Sequence, residues 1–181
     1  MYKDILVIAE VKTKSLFGYN SLKSWDELFE LANQTGDWIS IHTDERWEGS
    51  FDLIKKARKL TSKPILAKGI HRNNSDIIKA VESGADYVLV VGRIPNVHQD
   101  KSIIEPLDLN ELSNIPSSFK VIWNARNLET GSPKKETFEQ AREIWKGWLC
   151  QASYVKNAKD IKKEADAVLV GESLFDFANS L

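Results

Sequence analysis

One alternation constrains this chain more than any other feature. Short apolar runs rich in Val, Ile and Leu recur along it, separated by stretches with helical spacing. The runs fall at residues 5–12, 38–44, 64–69, 87–92, 102–105, 119–126, 148–152 and 167–171. Near-continuous apolar runs of this length fit strands buried on both faces of a parallel sheet. Helices are predicted over 24–33, 51–60, 75–83, 134–145, 158–165 and 174–181. Ser24 with Glu27 forms a capping box, Gly84 closes the helix at 75–83, and Pro133 opens the one at 134–145. Strands alternating with helices imply βαβ units, and eight of them predict a closed (β/α)₈ TIM barrel, here a minimal one, as a single domain over residues 1–181. Residues 95–101 are polar and lack a helical period, so the helix after the fourth strand is expected to be lost. The rival is an open doubly wound sheet, which follows if 102–105 is not a strand.

The strand ends carry the chemistry. The first run ends in Glu10 and Lys12, which at strand spacing point to one side. The third ends in Lys68 and the fifth in Glu105. Charges at the ends of buried strands are poorly explained by packing. In a β/α barrel the C-terminal strand ends are where catalytic groups sit. The bland alternatives are a Glu–Lys pair fraying into solvent, a snorkelling Lys68 and an edge-strand Glu105.

Charge and composition exclude several classes. Formal net charge is -1, with Lys and Arg dispersed among Asp and Glu, so no nucleic-acid footprint is present. Cys150 is the single cysteine, which leaves no disulfide framework or zinc cluster and fits a reducing, cytoplasmic setting. No secretory leader pattern and no apolar run of membrane-spanning length is seen. His42, His71 and His98 are too scattered to suggest a metal site, and His42 reads as a packed or hydrogen-bonded imidazole.

As an ordered set, the strand ends resemble a known family. Ala9-Glu-Val-Lys12 with Ser15 resembles the first-strand motif of indole-3-glycerol-phosphate synthase. Residues 39–44 with Trp47-Glu-Gly-Ser50 resemble its second strand and loop. Residues 64–68 and 84–91 are similar to its third and fourth strands. Asn124-Ala-Arg126-Asn-Leu-Glu-Thr130 is similar to its sixth-strand Asn-Asn-Arg-Asp-Leu-Glu-Thr signature. Residues 165–174 resemble its last strand and phosphate loop.

The resemblance implies closure of an indole ring on an anilino-deoxyribulose phosphate, with loss of CO₂ and water. It makes Lys68 the general acid and Glu105 the base. Lys12 would hold the substrate carboxylate, with Glu10 orienting it. Asn124, Arg126, Gln151 and Trp47 would contact substrate, and Ser15, Gly171 and Ser173 would bind its phosphate. No cofactor or metal is implied. The expected partner is a small phosphorylated substrate, without nucleic acid or membrane, on a monomer or weak oligomer.

Three departures keep a second class of function open. The family carries a segment ahead of its first strand, and here four residues precede Ile5, so that extension is expected to be absent. The family's Lys-Asp-Phe is Lys68-Gly69-Ile70. Its seventh-strand Glu-Ser-Gly-Ile is set against Gln151-Ala152-Ser153-Tyr154, which makes Gln151 the replacement for a carboxylate. The alternatives are a divergent barrel that binds a phosphorylated ligand or a partner without this activity, and a related phosphosugar enzyme.

Overall fold

A computed structural model describes residues 5–181; the four residues ahead of Ile5 lie outside the described residues. The chain folds into a closed barrel of eight parallel strands, ordered β1 to β8 around the ring. They are β1 (Leu6–Val11), β2 (Trp38–His42), β3 (Ile65–Lys68), β4 (Tyr87–Val91), β5 (Ser102–Glu105), β6 (Lys120–Asn124), β7 (Leu149–Ala152) and β8 (Ala167–Val170). The ring closes where β1 pairs with β8, Ala9 opposite Val170. The run at 102–105 is a strand paired on both sides, which removes the open-sheet alternative.

Alternation along each strand sorts the side chains. Ile8, Leu66, Leu89, Ile103, Ile122, Cys150 and Leu169 fill the barrel interior. Their neighbours, including Ala9, Ile41, Ile65, Val88, Ile104 and Trp123, pack outward with α1 (Trp25–Thr35), α2 (Phe51–Leu60) and α3 (Asn74–Glu82). α1 starts at the expected capping box, with Ser24 accepting from Glu27 N and Glu27 returning to Ser24 N. Gly84, just past α3, takes φ +114°, a conformation that favours glycine.

The helical layer thins after β4. A single 3₁₀ turn, Gln99–Lys101, stands where a helix would, as its polar sequence predicts. Three expectations need correcting. The β5–β6 connection holds a short helix, α4 (Leu109–Leu112), capped by Asp108 and too short to show a period. The helix expected from 134 is α5 (Phe138–Ile144), because Thr137 and Gln140 form its capping box. Pro133 instead bridges Arg126 in the loop before it. The helix expected over 158–165 shrinks to a 3₁₀ turn, Ala158–Asp160. α6 (Leu174–Ala178) closes the described fold.

Candidate active site

Inward alternation carries polar side chains to the C-terminal mouth above the apolar plug. Glu10 follows Ile8 on β1, Lys68 follows Leu66 on β3, Glu105 follows Ile103 on β5, and Asn124 follows Ile122 on β6. The Lys68 ammonium is 2.9 Å from Glu10 Oε2. Asn124 Nδ2 donates to Glu105 Oε1 at 3.4 Å, and Ser153 Oγ donates to Asn124 Oδ1 at 2.7 Å. Lys12 and Arg126 share one carboxylate, Glu172, at 3.3 and 3.4 Å. Arg126 is also held between the rings of Phe17 and Tyr154, 5.5 and 5.1 Å from their centroids.

The environment separates the two buried acids. Burial alone would raise Glu10, but Lys68 and then Lys12 outweigh it and hold the carboxyl at about 2. Glu105 goes the other way, pushed up by burial against the weaker pull of Lys68 and Lys134. Burial lowers the Lys12 pKa, opposed by Glu10 and reinforced by Lys68. Glu10 Oε1 has no hydrogen-bond partner among the described residues.

A cavity of about 380 Å³ opens above these groups, walled by Trp47, Phe17, Ile70, Leu89 and Leu107. A smaller one of about 80 Å³ adjoins it at the β7 and β8 ends, beside Tyr154, Lys156, Gly171 and Ser173. Lys12, Lys68, Arg126 and Ser153 line both. A side chain at Gly171 would collide with Glu10 Oε2, so the glycine lets β8 pass close to the buried acid. Among the described residues no His, Cys, Asp and Glu cluster is placed to hold a metal ion.

Of the residues expected at the site, Glu10, Lys12, Trp47, Lys68, Glu105, Asn124, Arg126, Gly171 and Ser173 converge here. Two do not. Ser15 is buried in the loop after β1, where its Oγ accepts from Phe17 N and Tyr19 N, and it lines neither cavity. Gln151 points out of the barrel: it donates to Asp160 O at 3.0 Å and accepts from Lys162 N at 2.8 Å. The seventh-strand register therefore shifts by one. Ala152 faces inward where the family motif has Glu, Ser153 falls on Ser, and Tyr154 falls on Gly. Tyr154 has φ 56°, the left-handed conformation that a glycine takes most easily. The sequence assigns no role to Glu172 or Ser153, and it marks His42 as a packed or hydrogen-bonded imidazole, which the stack on Trp47 and the bond from Asp44 N bear out; what it leaves out is that His42 also lines the cavity. The period-two spacing of Trp38, Ser40 and His42 was the signal for this, since it sets His42 on the inner face.

Fold and site together define a β/α barrel whose C-terminal mouth gathers carboxylates and cations beneath a cavity with largely apolar walls. The chain is 30% identical to indole-3-glycerol phosphate synthase of Sulfurisphaera tokodaii, over 97% of this chain and 80% of that protein. It is 27% identical to the Aquifex aeolicus indole-3-glycerol phosphate synthase, over 96% and 77% of the two chains. It belongs to the indole-3-glycerol phosphate synthase family. No protein-family model matches the chain. Among solved structures, the fold is similar to 3-hexulose-6-phosphate synthase from Salmonella typhimurium, with TM-score 0.74, 14% identity, and 97% and 94% of the chains covered. That likeness concerns the fold alone. Among the described residues no helix is long and apolar enough to cross a membrane.

Proposed function

We propose that the chain is a carbon–carbon lyase of the indole-3-glycerol-phosphate synthase type, acting in tryptophan biosynthesis in the cytoplasm as a single-domain barrel. The observation that carries this reading is the Lys68–Glu10 pair, 2.9 Å apart under the cavity, with Glu105 on the facing strand. Lys68 protonates the ketone oxygen as the aromatic carbon attacks the carbonyl carbon, and Glu10 fixes its ammonium. Lys12 and Arg126 receive the ring carboxylate that departs as CO₂. Glu105, buried and raised in pKa, takes the proton released in the dehydration. Gly171 and Ser173 meet the phosphate at the smaller cavity. The Phe17, Trp47 and Leu107 wall accommodates the aromatic ring.

Ala152 favours a second reading, a phosphorylated-ligand binder or a related phosphosugar enzyme. No carboxylate stands at the inward position of β7, and Gln151, an amide, points out of the barrel. Incubation with the anilino-deoxyribulose phosphate, followed by indole fluorescence, separates the readings. Product from the wild type, with kcat lowered at least about 10²-fold by Lys68→Ala and affinity little changed, supports the synthase. Binding without product supports the second reading. Turnover that survives Lys68→Ala would show that the acid is another group.

A further inference from the structure

Histidine serves two different ends at this barrel's mouth. His71 is fully engaged: Nδ1 meets Leu89 O at 2.5 Å and Nε2 meets Thr43 Oγ1 at 2.9 Å. That is a structural imidazole, tying the β3–α3 loop to its neighbours. His42 is different. It stands on the inner face of β2, directly across the ladder from Lys68. Its ring stacks on Trp47, 5.0 Å between centroids and 11° between planes, and lines the larger cavity with Lys68, Glu105 and Asn124. Nδ1 accepts the Asp44 N–H at 3.3 Å. A neutral imidazole that accepts at Nδ1 carries its proton on Nε2. Unlike the His71 nitrogens, Nε2 of His42 has no hydrogen-bond partner among the described residues.

We infer that His42 contacts the substrate: its Nε2–H donates a hydrogen bond to the sugar-chain oxygen that Lys68 protonates. This rests on the ring-closure reading above. As the new carbon–carbon bond forms, the carbonyl electron pair moves onto that oxygen. The proton comes from the Lys68 ammonium, which becomes an amine, and His42 keeps its own proton throughout. A donor already aimed at growing negative charge stabilises the transition state more than the bound ketone. The surroundings keep the imidazole neutral: burial, Lys68 and Lys12 outweigh Glu10 and Asp44.

The test compares two substitutions with the wild type. His42→Phe keeps the stack on Trp47 and removes the N–H, and it should lower kcat about 10- to 10²-fold with a smaller change in KM. His42→Gln restores a donor and should recover part of the loss. Nitrogen NMR of the wild-type imidazole should show the Nε2–H tautomer, perturbed when a ketone-reduced substrate analogue binds. If His42→Phe keeps kcat within about twofold of a competent wild type, the inference falls and the ring-closure reading stands. An Nδ1–H tautomer would also overturn it. A wild type that neither binds nor converts the anilino-deoxyribulose phosphate overturns both.

Discussion

The two ends of the barrel treat their charges in opposite ways. At the floor, beneath the strand starts, three aspartates and two arginines are committed to backbone. Asp37, Asp86 and Asp166 accept the N–H of Val7, Ile65 and Leu149, within the first two residues of neighbouring strands, at 2.8, 2.8 and 2.9 Å. Arg58 binds Asp86 and reaches back to the Thr61 and Lys63 carbonyls. Arg142 does the same a half-barrel away, binding Asp166 and the Trp145 and Gly147 carbonyls. Trp38 stacks on Tyr87 at 4.3 Å and on Trp148 at 6.0 Å over this end. At the mouth, by contrast, one oxygen of Glu10 is unpartnered, and two cations share Glu172. Ser153 and Tyr154 take φ 70° and 56° in succession. Such conformations cost on the order of 1–3 kcal/mol each and concentrate at functional sites. The floor satisfies its groups and so stabilises the fold, whereas the mouth leaves capacity for a ligand.

The sharpest way to break this comparison is at the floor. Arg142→Ala removes hydrogen bonds to the Trp145, Gly147 and Glu164 carbonyls and to Asp166. Orphaned acceptors of this kind cost about 1–3 kcal/mol apiece, and half-exposed ones less, so a total near 3 kcal/mol is expected. For a chain of this size that lowers Tm by about 6–12 °C. Turnover by the protein that remains folded should be unchanged. A large kcat loss without a fall in Tm would mean that floor and mouth are not separable.

The next effect is smaller and belongs to the mouth. His42 is pushed by burial from 6.5 down to about 3 in the folded chain. Its folded pKa lies below its unfolded one, so the unfolded chain binds the extra proton as pH falls. Stability from this group is full above about 6.5 and is lost progressively down to about 3. Between pH 7 and pH 5 the loss should approach about 2 kcal/mol. Glu10, held at about 2 from 4.5, adds its own loss only at lower pH. Urea unfolding at the two pH values should show a smaller difference in His42→Phe than in wild type; part of it remains, because burial also lowers the His71 pKa. Equal slopes would place the acid sensitivity elsewhere.

The same contrast explains what could be read in advance. Eight strands, the capping box at Ser24 and the missing helix after β4 rest on local patterns, and local patterns survive folding. The converging charges at Glu10, Lys12, Lys68 and Glu105 were legible because period two assigns a face once a strand is known. β7 failed for the same reason. A one-residue slip in matching the motif sends a side chain through the sheet, and Gln151 lies outside while Ala152 lies inside. Ser15 failed differently: its hydroxyl is used by Phe17 N and Tyr19 N, a turn that no spacing rule forecasts. Pairings such as Lys12 and Arg126 on Glu172 join residues up to 160 positions apart, and only the closed ring brings them together.

Glu172 offers the finest test of the mouth's open capacity. Its carboxylate sits 3.3 Å from Lys12 and 3.4 Å from Arg126, the two cations assigned here to the substrate's anionic group. An arriving carboxylate or phosphate must therefore displace it or share them. Glu172→Gln keeps the size and removes the competing charge. Partly exposed ion pairs are worth roughly 0–1 kcal/mol, so folding stability should barely change. Released from the internal anion, Lys12 and Arg126 should bind inorganic phosphate up to about fivefold more tightly, a gain of about 1 kcal/mol. Calorimetric titration of phosphate into both proteins at low salt reads this directly. The gain should shrink as salt rises, because partly exposed charges are screened. A weaker affinity in Glu172→Gln would reverse the assignment: Glu172 would then act by holding the two cations in register, and the mouth's charges would be committed like those of the floor.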